Sequence, residues 1–466
     1  MNPTLRKDLA HIDTVLGETV REALHVLASL DSRPVAAVPP QPQHHAVLEE
    51  EGGGFRTALD EFNSRYAAAF SGSAGPRYLG FVTGGATPAA LAGDWLTSTY
   101  DQNPTSGLDS SAPDLERETL GLLRDLFGLD DAYQGAFVTG ATMSNFAGLA
   151  IAREWLGERR GVAVSQSGLT ALGPVHILSG TPHSSVYKAA SMLGIGRQSV
   201  RTVATLPDRE AVDLAALEAA LAALQGDACI VVANAGTVNS VDFDDLRAIA
   251  ALREHYAFWL HVDAAFGCFA AVVPKYEALV AGIDLADSVC IDLHKWLNVP
   301  YDAAVQFSRR QDLQLRVFQN NAAYLGPPSG IPEFVHLTPE NSRRLRAMPT
   351  WFALRAYGRS GVRAIVEQNV RLARALGECV AGSDRFRLLA PVRLNVVCFT
   401  LSVVSDGAAG EAPVQAVIRR LRDAGETFLT PTVYRGVWGI RAAFSNWRTD
   451  EQDVVKVWHA LLGAVT

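Results

Sequence analysis

Phe258-Trp259-Leu260-His261-Val262-Asp263-Ala264-Ala265-Phe266-Gly267 and Ser288-Val289-Cys290-Ile291-Asp292-Leu293-His294-Lys295-Trp296 are two apolar runs that end on charge. Each run is short, β-branched or aromatic, and apolar on both alternate sets of positions, which is the pattern of a strand buried on both faces. A charge placed just past such a strand stands at the carboxyl end of a sheet, where open α/β folds bind ligands.

The pattern extends on both sides. Upstream, Leu214, Leu217, Leu221 and Leu224 mark a helix that Gly226 ends, before the strand run Cys229-Ile230-Val231-Val232. Asp244 to His255 reads as a further helix, Val175-His176-Ile177-Leu178 as a strand, and Gly135-Ala136-Phe137-Val138 as a strand preceding a helix that starts near Ser144. Strands separated by helices imply a mostly parallel sheet covered on both faces, hence an α/β fold. Downstream, a long helix from Trp351 to Cys379, the strand Asn395 to Leu401, a helix started by Pro413 and the strand Gly439 to Phe444 predict a smaller C-terminal α+β domain. Residues 4–30 read as one amphipathic helix with Leu5, Leu9, Ile12, Leu16, Val20, Leu24 and Leu27 on one face, followed by a proline-rich linker from Arg33 to His45. The expected division is 1–84 for the helical, dimer-forming segment, 85–345 for the large domain and 346–466 for the small one. No internal repeat is present.

The 466 residues are 48% hydrophobic and 19% charged, enough to bury a large core and unlike a disordered chain. A net charge of −8 gives no basic field for nucleic acid or anionic lipid, so neither partner is expected. The five cysteines form no C-x-x-C pair and read as small buried hydrophobes in a reducing compartment. Met1-Asn2-Pro3-Thr4-Leu5-Arg6-Lys7-Asp8 lacks an export-type apolar region, and a cytoplasmic location is expected.

Asp263 and Lys295 are costly to bury unless paired or used. The plain reading is a salt bridge between them across neighbouring strands. Other residues favour use. Thr139-Gly140-Ala141-Thr142-Met143-Ser144-Asn145 is a small-residue turn between strand and helix, where free N–H groups and hydroxyls suit a phosphate. His183 follows another strand and offers a flat ring. A lysine nucleophile, a carboxylate, a phosphate cradle and a flat ring together are what pyridoxal 5′-phosphate (PLP) requires. The rival is a metal site from His261, Asp263 and His294, since His261 and Asp263 share a strand face. It leaves Lys295 beside a cation.

At these residues the sequence resembles the PLP-dependent group II amino-acid decarboxylases, the family of aromatic-L-amino-acid, histidine and glutamate decarboxylases. The matching segments are Pro76 to Phe81, the turn at 139–146, His183-Ser184-Ser185-Val186, His261 to Gly267 and His294 to Asp302, with Asp263 and Lys295 32 positions apart. The resemblance implies PLP fold type I and a homodimer with active sites at its interface, the leading helix intertwining the subunits. It implies Lys295 as the Schiff-base lysine, Asp263 on the pyridine nitrogen and His183 stacked on the ring. Ala141, Thr142, Met143, Thr237, Ala265 and His294 complete the expected cofactor site, no metal is expected, and Phe81 and Trp95 lie where relatives shape the substrate pocket.

Two departures stand out. The segment Gly236-Thr237-Val238 carries one threonine where relatives carry two. Counting back from Arg343-Arg344-Leu345-Arg346, the place of the mobile-loop tyrosine that protonates the substrate carbon from the partner subunit falls on Phe334, with Tyr324 earlier in the loop. The leading expectation is decarboxylation of an L-amino acid with an aromatic or apolar side chain to the amine, with His336 as a substitute proton donor. The alternative, similar to related aldehyde synthases, is oxidative conversion to aldehyde, ammonia and peroxide because Phe334 donates no proton. A catalytically idle cofactor-binding scaffold is a third.

Overall fold

A computed structural model describes residues 1–37, 47–320, 331–404 and 410–465. Its larger sheet has seven strands: β1 (Gln134–Val138), β2 (Ile177–Ser179), β3 (Val200–Thr202), β4 (Cys229–Asn234), β5 (Phe258–Asp263), β6 (Ser288–Asp292) and β7 (Ala304–Ser308). Their order is β1-β7-β6-β5-β4-β2-β3, and only β7 runs against its neighbours. The expected α/β class is therefore correct: a mostly parallel sheet, with β1 and β4 to β7 almost entirely buried. Register aligns Asn234 with Asp263 and Asp263 with Cys290, so the carboxyl ends of β4, β5 and β6 form one edge. Two cores lie against this sheet, one centred on Phe137, Leu260 and Phe307, the other on Ile151, Ile177 and Ile230.

The second sheet is antiparallel, with β8 (Phe386–Leu388), β9 (Val396–Leu401), β10 (Thr430–Tyr434) and β11 (Val437–Ala443) in the order β10-β11-β9-β8. This is the smaller α+β layer. An early segment joins it: Leu79 N–H donates to Phe428 O at 2.9 Å, and Ala443 N–H donates to Leu79 O at 2.8 Å. Arg77, buried, binds Asp453 at 3.0 Å. Residues 77–79 thus run along the edge of the C-terminal sheet, and this carries the chain across to the large sheet's active edge.

Three element expectations need correction. The leading segment is two helices, Pro3–Ala10 and Ile12–Ser29, because His11 leaves helical geometry and its Nδ1 takes up the Lys7 carbonyl at 2.8 Å. The linker does not begin at Arg33. Val35 N–H donates to Gly425 O at 2.7 Å and Val35 is buried, so residues 33–36 dock on the body, while Pro39, Pro40 and Pro42 lie outside the described residues. The long helix spans Ala347–Ala381 but breaks at Gly358, whose φ of 59° is open to glycine at little cost.

Candidate active site

Lys295 sits in a single turn, Leu293–Trp296, that follows β6 directly. Its position is fixed from both sides. Trp296 is fully buried and its Nε1 donates to Asn369 Oδ1 at 2.8 Å, while a Cβ at Gly84 would collide with the Lys295 carbonyl oxygen. Only glycine lets the 82–85 segment approach so closely. The lysine Nζ lies 3.7 Å from Asp292 Oδ2, and the other oxygen of Asp292 is 2.9 Å from His294 Nδ1. Among the described residues no Asp263 to Lys295 ion pair forms, so the plain salt-bridge reading is replaced: the carboxylate beside Lys295 is its own turn's Asp292. The ring of His294 packs on Tyr301, centroids 4.3 Å apart, and Tyr301 donates to Thr83 Oγ1 at 2.8 Å.

Asp263, at the end of β5, is buried with neutral donors around it. Asn145 Nδ2 donates to its Oδ2 at 2.9 Å and the Ala265 N–H donates to its Oδ1 at 3.3 Å. His261, two residues earlier on the same strand face, is fully buried between Ser288 Oγ at 2.7 Å and Asn145 Oδ1 at 2.9 Å. Burial pushes its pKa down to about 4, so the ring is neutral at ordinary pH. With both ring nitrogens engaged, His261 has none left for a cation, and the metal reading loses its central ligand. The ring of His183 opens onto the cleft while its Nδ1 edge is closed by Ser185 Oγ at 2.7 Å; crowding by the cleft walls lowers its pKa, which favours the neutral ring.

At the other end of the cleft lies the amino terminus of the Ala141–Arg160 helix. The Ala141 N–H donates to Asp292 Oδ2 at 3.2 Å, and the N–H of Thr142 has no protein acceptor among the described residues. Thr237 lines the cleft, but its hydroxyl is committed, donating to Glu210 Oε2 at 2.6 Å and accepting from the Asp242 N–H at 2.9 Å. Arg441 on β11 completes the wall. It donates to Val238 O at 3.0 Å and Gly80 O at 3.1 Å, its Nε has no partner, and no carboxylate lies within 4 Å of it among the described residues. Burial lowers its pKa.

These residues enclose a cleft of about 390 Å³. Its lining contains every residue expected for the cofactor, namely Ala141, Thr142, Met143, His183, Thr237, Asp263, Ala265, His294 and Lys295, together with Phe81. A cleft of this size with a free N–H at a helix amino terminus, an amine, an unneutralised carboxylate and an unpaired guanidinium fits a flat, anionic, aldehyde-bearing pyridine. Asn145 and Arg441 were missed by sequence reading. Arg441 had a signal, a lone cation inside the apolar run Gly439 to Phe444; Asn145 had only its place in the small-residue turn.

Phe334 and His336 do not line this cleft. Phe334, 2% exposed, lies beneath the guanidinium groups of Arg343 and Arg117, 4.9 and 5.3 Å from its centroid. His336 is buried in the same turn and accepts the Asn320 N–H at 3.1 Å. Trp95 lies on the Pro88–Tyr100 helix outside the cleft, and Tyr324 lies outside the described residues.

A mostly parallel sheet carrying a lysine past one strand and an aspartate at the end of its neighbour, with a smaller C-terminal sheet closing the cleft, defines a PLP enzyme of fold type I. The chain belongs to the pyridoxal-dependent decarboxylase family: residues 62–402 match the pyridoxal-dependent decarboxylase conserved domain. It is 25% identical to an aromatic-L-amino-acid decarboxylase of Bacillus atrophaeus over 82% of this chain and 79% of the relative. It is 24% identical to tryptophan decarboxylase 1 of Oryza sativa subsp. japonica, over 88% and 84%. The crystal structure of Oryza sativa TDC with PLP and tryptamine superposes with a TM-score of 0.89 at 22% identity, covering 100% of this chain and 99% of that one. The protein is a PLP-dependent carboxy-lyase of amino-acid metabolism.

Proposed function

We propose that the protein decarboxylates an L-amino acid with an aromatic or apolar side chain to its amine and carbon dioxide, working as a homodimer. Bound PLP supplies an electron sink for the electron pair left behind when carbon dioxide departs. Lys295 is the covalent attachment point. Asp263 keeps a proton on the pyridine nitrogen, which a neutral side chain in its place would not do. His183 covers one ring face. Among the described residues Arg441 is the one cleft-lining guanidinium and has no carboxylate partner, which equips it to orient an anionic substrate group. The observation that carries this reading is the convergence of Lys295, Asp263, His183 and Arg441 on one cleft.

Side-chain preference follows from the cleft's edge. Phe81, 52% exposed, stands 5.8 Å from Phe428 and 6.3 Å from Tyr78, and Tyr78 stacks on Phe428 at 4.8 Å. This aromatic shelf supports a flat or apolar substrate group. The exposed Tyr301 and Phe81 leave apolar surface at the cleft mouth, and the leading helices leave Leu5 and Leu16 65% and 57% exposed. Apolar surface of this kind is what a second copy would cover, in keeping with the homodimer. The five unpaired cysteines suit a reducing compartment such as the cytoplasm.

Amine is favoured over aldehyde as product. The aldehyde alternative rests on Phe334 standing at the reacting carbon, whereas in this chain the ring is buried under Arg117 and Arg343 and does not line the cleft. The test is incubation of the holoenzyme with a panel of L-amino acids, reading carbon dioxide, amine, aldehyde and peroxide together. One amine per carbon dioxide from an aromatic substrate is expected. Peroxide and aldehyde in equal amounts would overturn the product assignment, and no carbon dioxide from any member would overturn the function.

A further inference from the structure

Behind Asp263 runs a line of hydrogen bonds whose direction is set by one fact: a carboxylate accepts and cannot donate. Asn145 must therefore turn its NH2 toward Asp263 Oδ2, at 2.9 Å, and its carbonyl toward His261 Nε2, also 2.9 Å away. His261 then carries its proton on Nε2 and accepts on Nδ1 from Ser288 Oγ at 2.7 Å. Ser288 is free to give that proton because it accepts from Trp259 Nε1 at 2.9 Å. The second hydrogen of the Asn145 amide goes to Ser185 Oγ at 2.9 Å, so the serine hydroxyl donates to His183 Nδ1 at 2.7 Å and leaves the His183 proton on Nε2. One buried amide thus fixes the carboxylate and both imidazole tautomers. Every member of the line is neutral. The neutral donors fix the orientation of Asp263 without cancelling its charge, as an arginine or lysine in the same place would.

We infer that Asn145, backed by His261 and Ser288, is a positioning residue that reserves the charge of Asp263 for the cofactor's pyridine nitrogen. This rests on the reading of Asp263 given above. The test compares affinity of the full-length apoprotein for PLP and for 1-deaza-PLP, which keeps the aldehyde and phosphate but has carbon in place of the ring nitrogen. Binding is read by tryptophan quenching. In Asn145→Leu, PLP affinity is expected to fall about tenfold or more while 1-deaza-PLP affinity changes less than about twofold. If Asn145→Leu does not fold, Asn145→Ala is read the same way. Equal losses for both ligands, or no loss for either, would overturn the inference. Asp263→Asn is the control. If it too fails to separate the two ligands, the assignment of Asp263 falls along with the inference; if it separates them and the Asn145 variants do not, only the inference falls.

Discussion

A buried histidine kept neutral ties stability to pH in a direction that can be worked out for His261. The unfolded ring takes up a proton near 6.5, whereas the folded one does so only near 4, because burial disfavours the cation. Its contribution is complete above pH 6.5 and is lost as pH falls toward 4, roughly 3 kcal/mol in all. Between pH 7 and 4.5 the wild-type unfolding midpoint is therefore expected to drop further than that of His261→Asn; parallel curves would contradict the assignment. At Phe334 a packing effect is expected. Phe334→Tyr places a hydroxyl in a buried site, with an expected cost of about 1–3 kcal/mol in denaturant unfolding and the amine to aldehyde ratio unchanged. A shift in that ratio would put the ring at the reacting carbon. Asp263 and Lys295 were legible in the sequence because Asp263 ends one apolar strand and Lys295 stands just past the next. Their partners were not, because which carboxylate meets Lys295 depends on the turn after β6, and the Asn145 amide meets Asp263 only through helix-to-sheet packing.

Among the elements, the strands that read well are those buried on both faces, β4, β5 and β6, whose apolar runs leave no other use. β2 was legible only through the apolar run Val175 to Leu178, whereas β3 and β8 have three residues each, too few for a period to emerge, and β7 hides behind the polar Gln306 and Ser308, both buried. The break at Gly358 went unread because the apolar spacing continues through it. One ion pair joins elements that sequence reading left unconnected. Arg343 Nη2 stands 2.9 Å from Glu116 Oε2, both side chains fully buried, and Glu116 Oε1 accepts the Phe137 N–H of β1 at 3.2 Å. Burial pushes the Glu116 carboxyl up, and the Arg343 guanidinium beside it opposes that shift. Arg343→Met strands that carboxylate and removes a guanidinium from the Phe334 ring, and a loss of about 3–5 kcal/mol is expected from denaturant unfolding. A loss below about 1 kcal/mol would mean that the pair contributes little.

On the scale of the whole molecule, the α/β class, the mostly parallel sheet and the later antiparallel layer were readable from element order. The crossing of residues 77–79 onto the small sheet was not, because that contact joins positions some 350 residues apart. No helix among the described residues is long and apolar enough to cross a membrane. The exposed stripe on the two leading helices calls for a protein partner, and deleting residues 1–32 is expected to give monomers or aggregates by light scattering. A truncated chain that stays dimeric and fully active would remove these helices from the interface. The central claim is that the cleft around Lys295 holds the cofactor covalently, and borohydride reduction of the holoenzyme followed by peptide mass spectrometry tests it most directly. The reduced pyridoxyl group is expected on Lys295 alone, and its appearance on Lys188 or Lys275 instead, or on no lysine, would contradict the account.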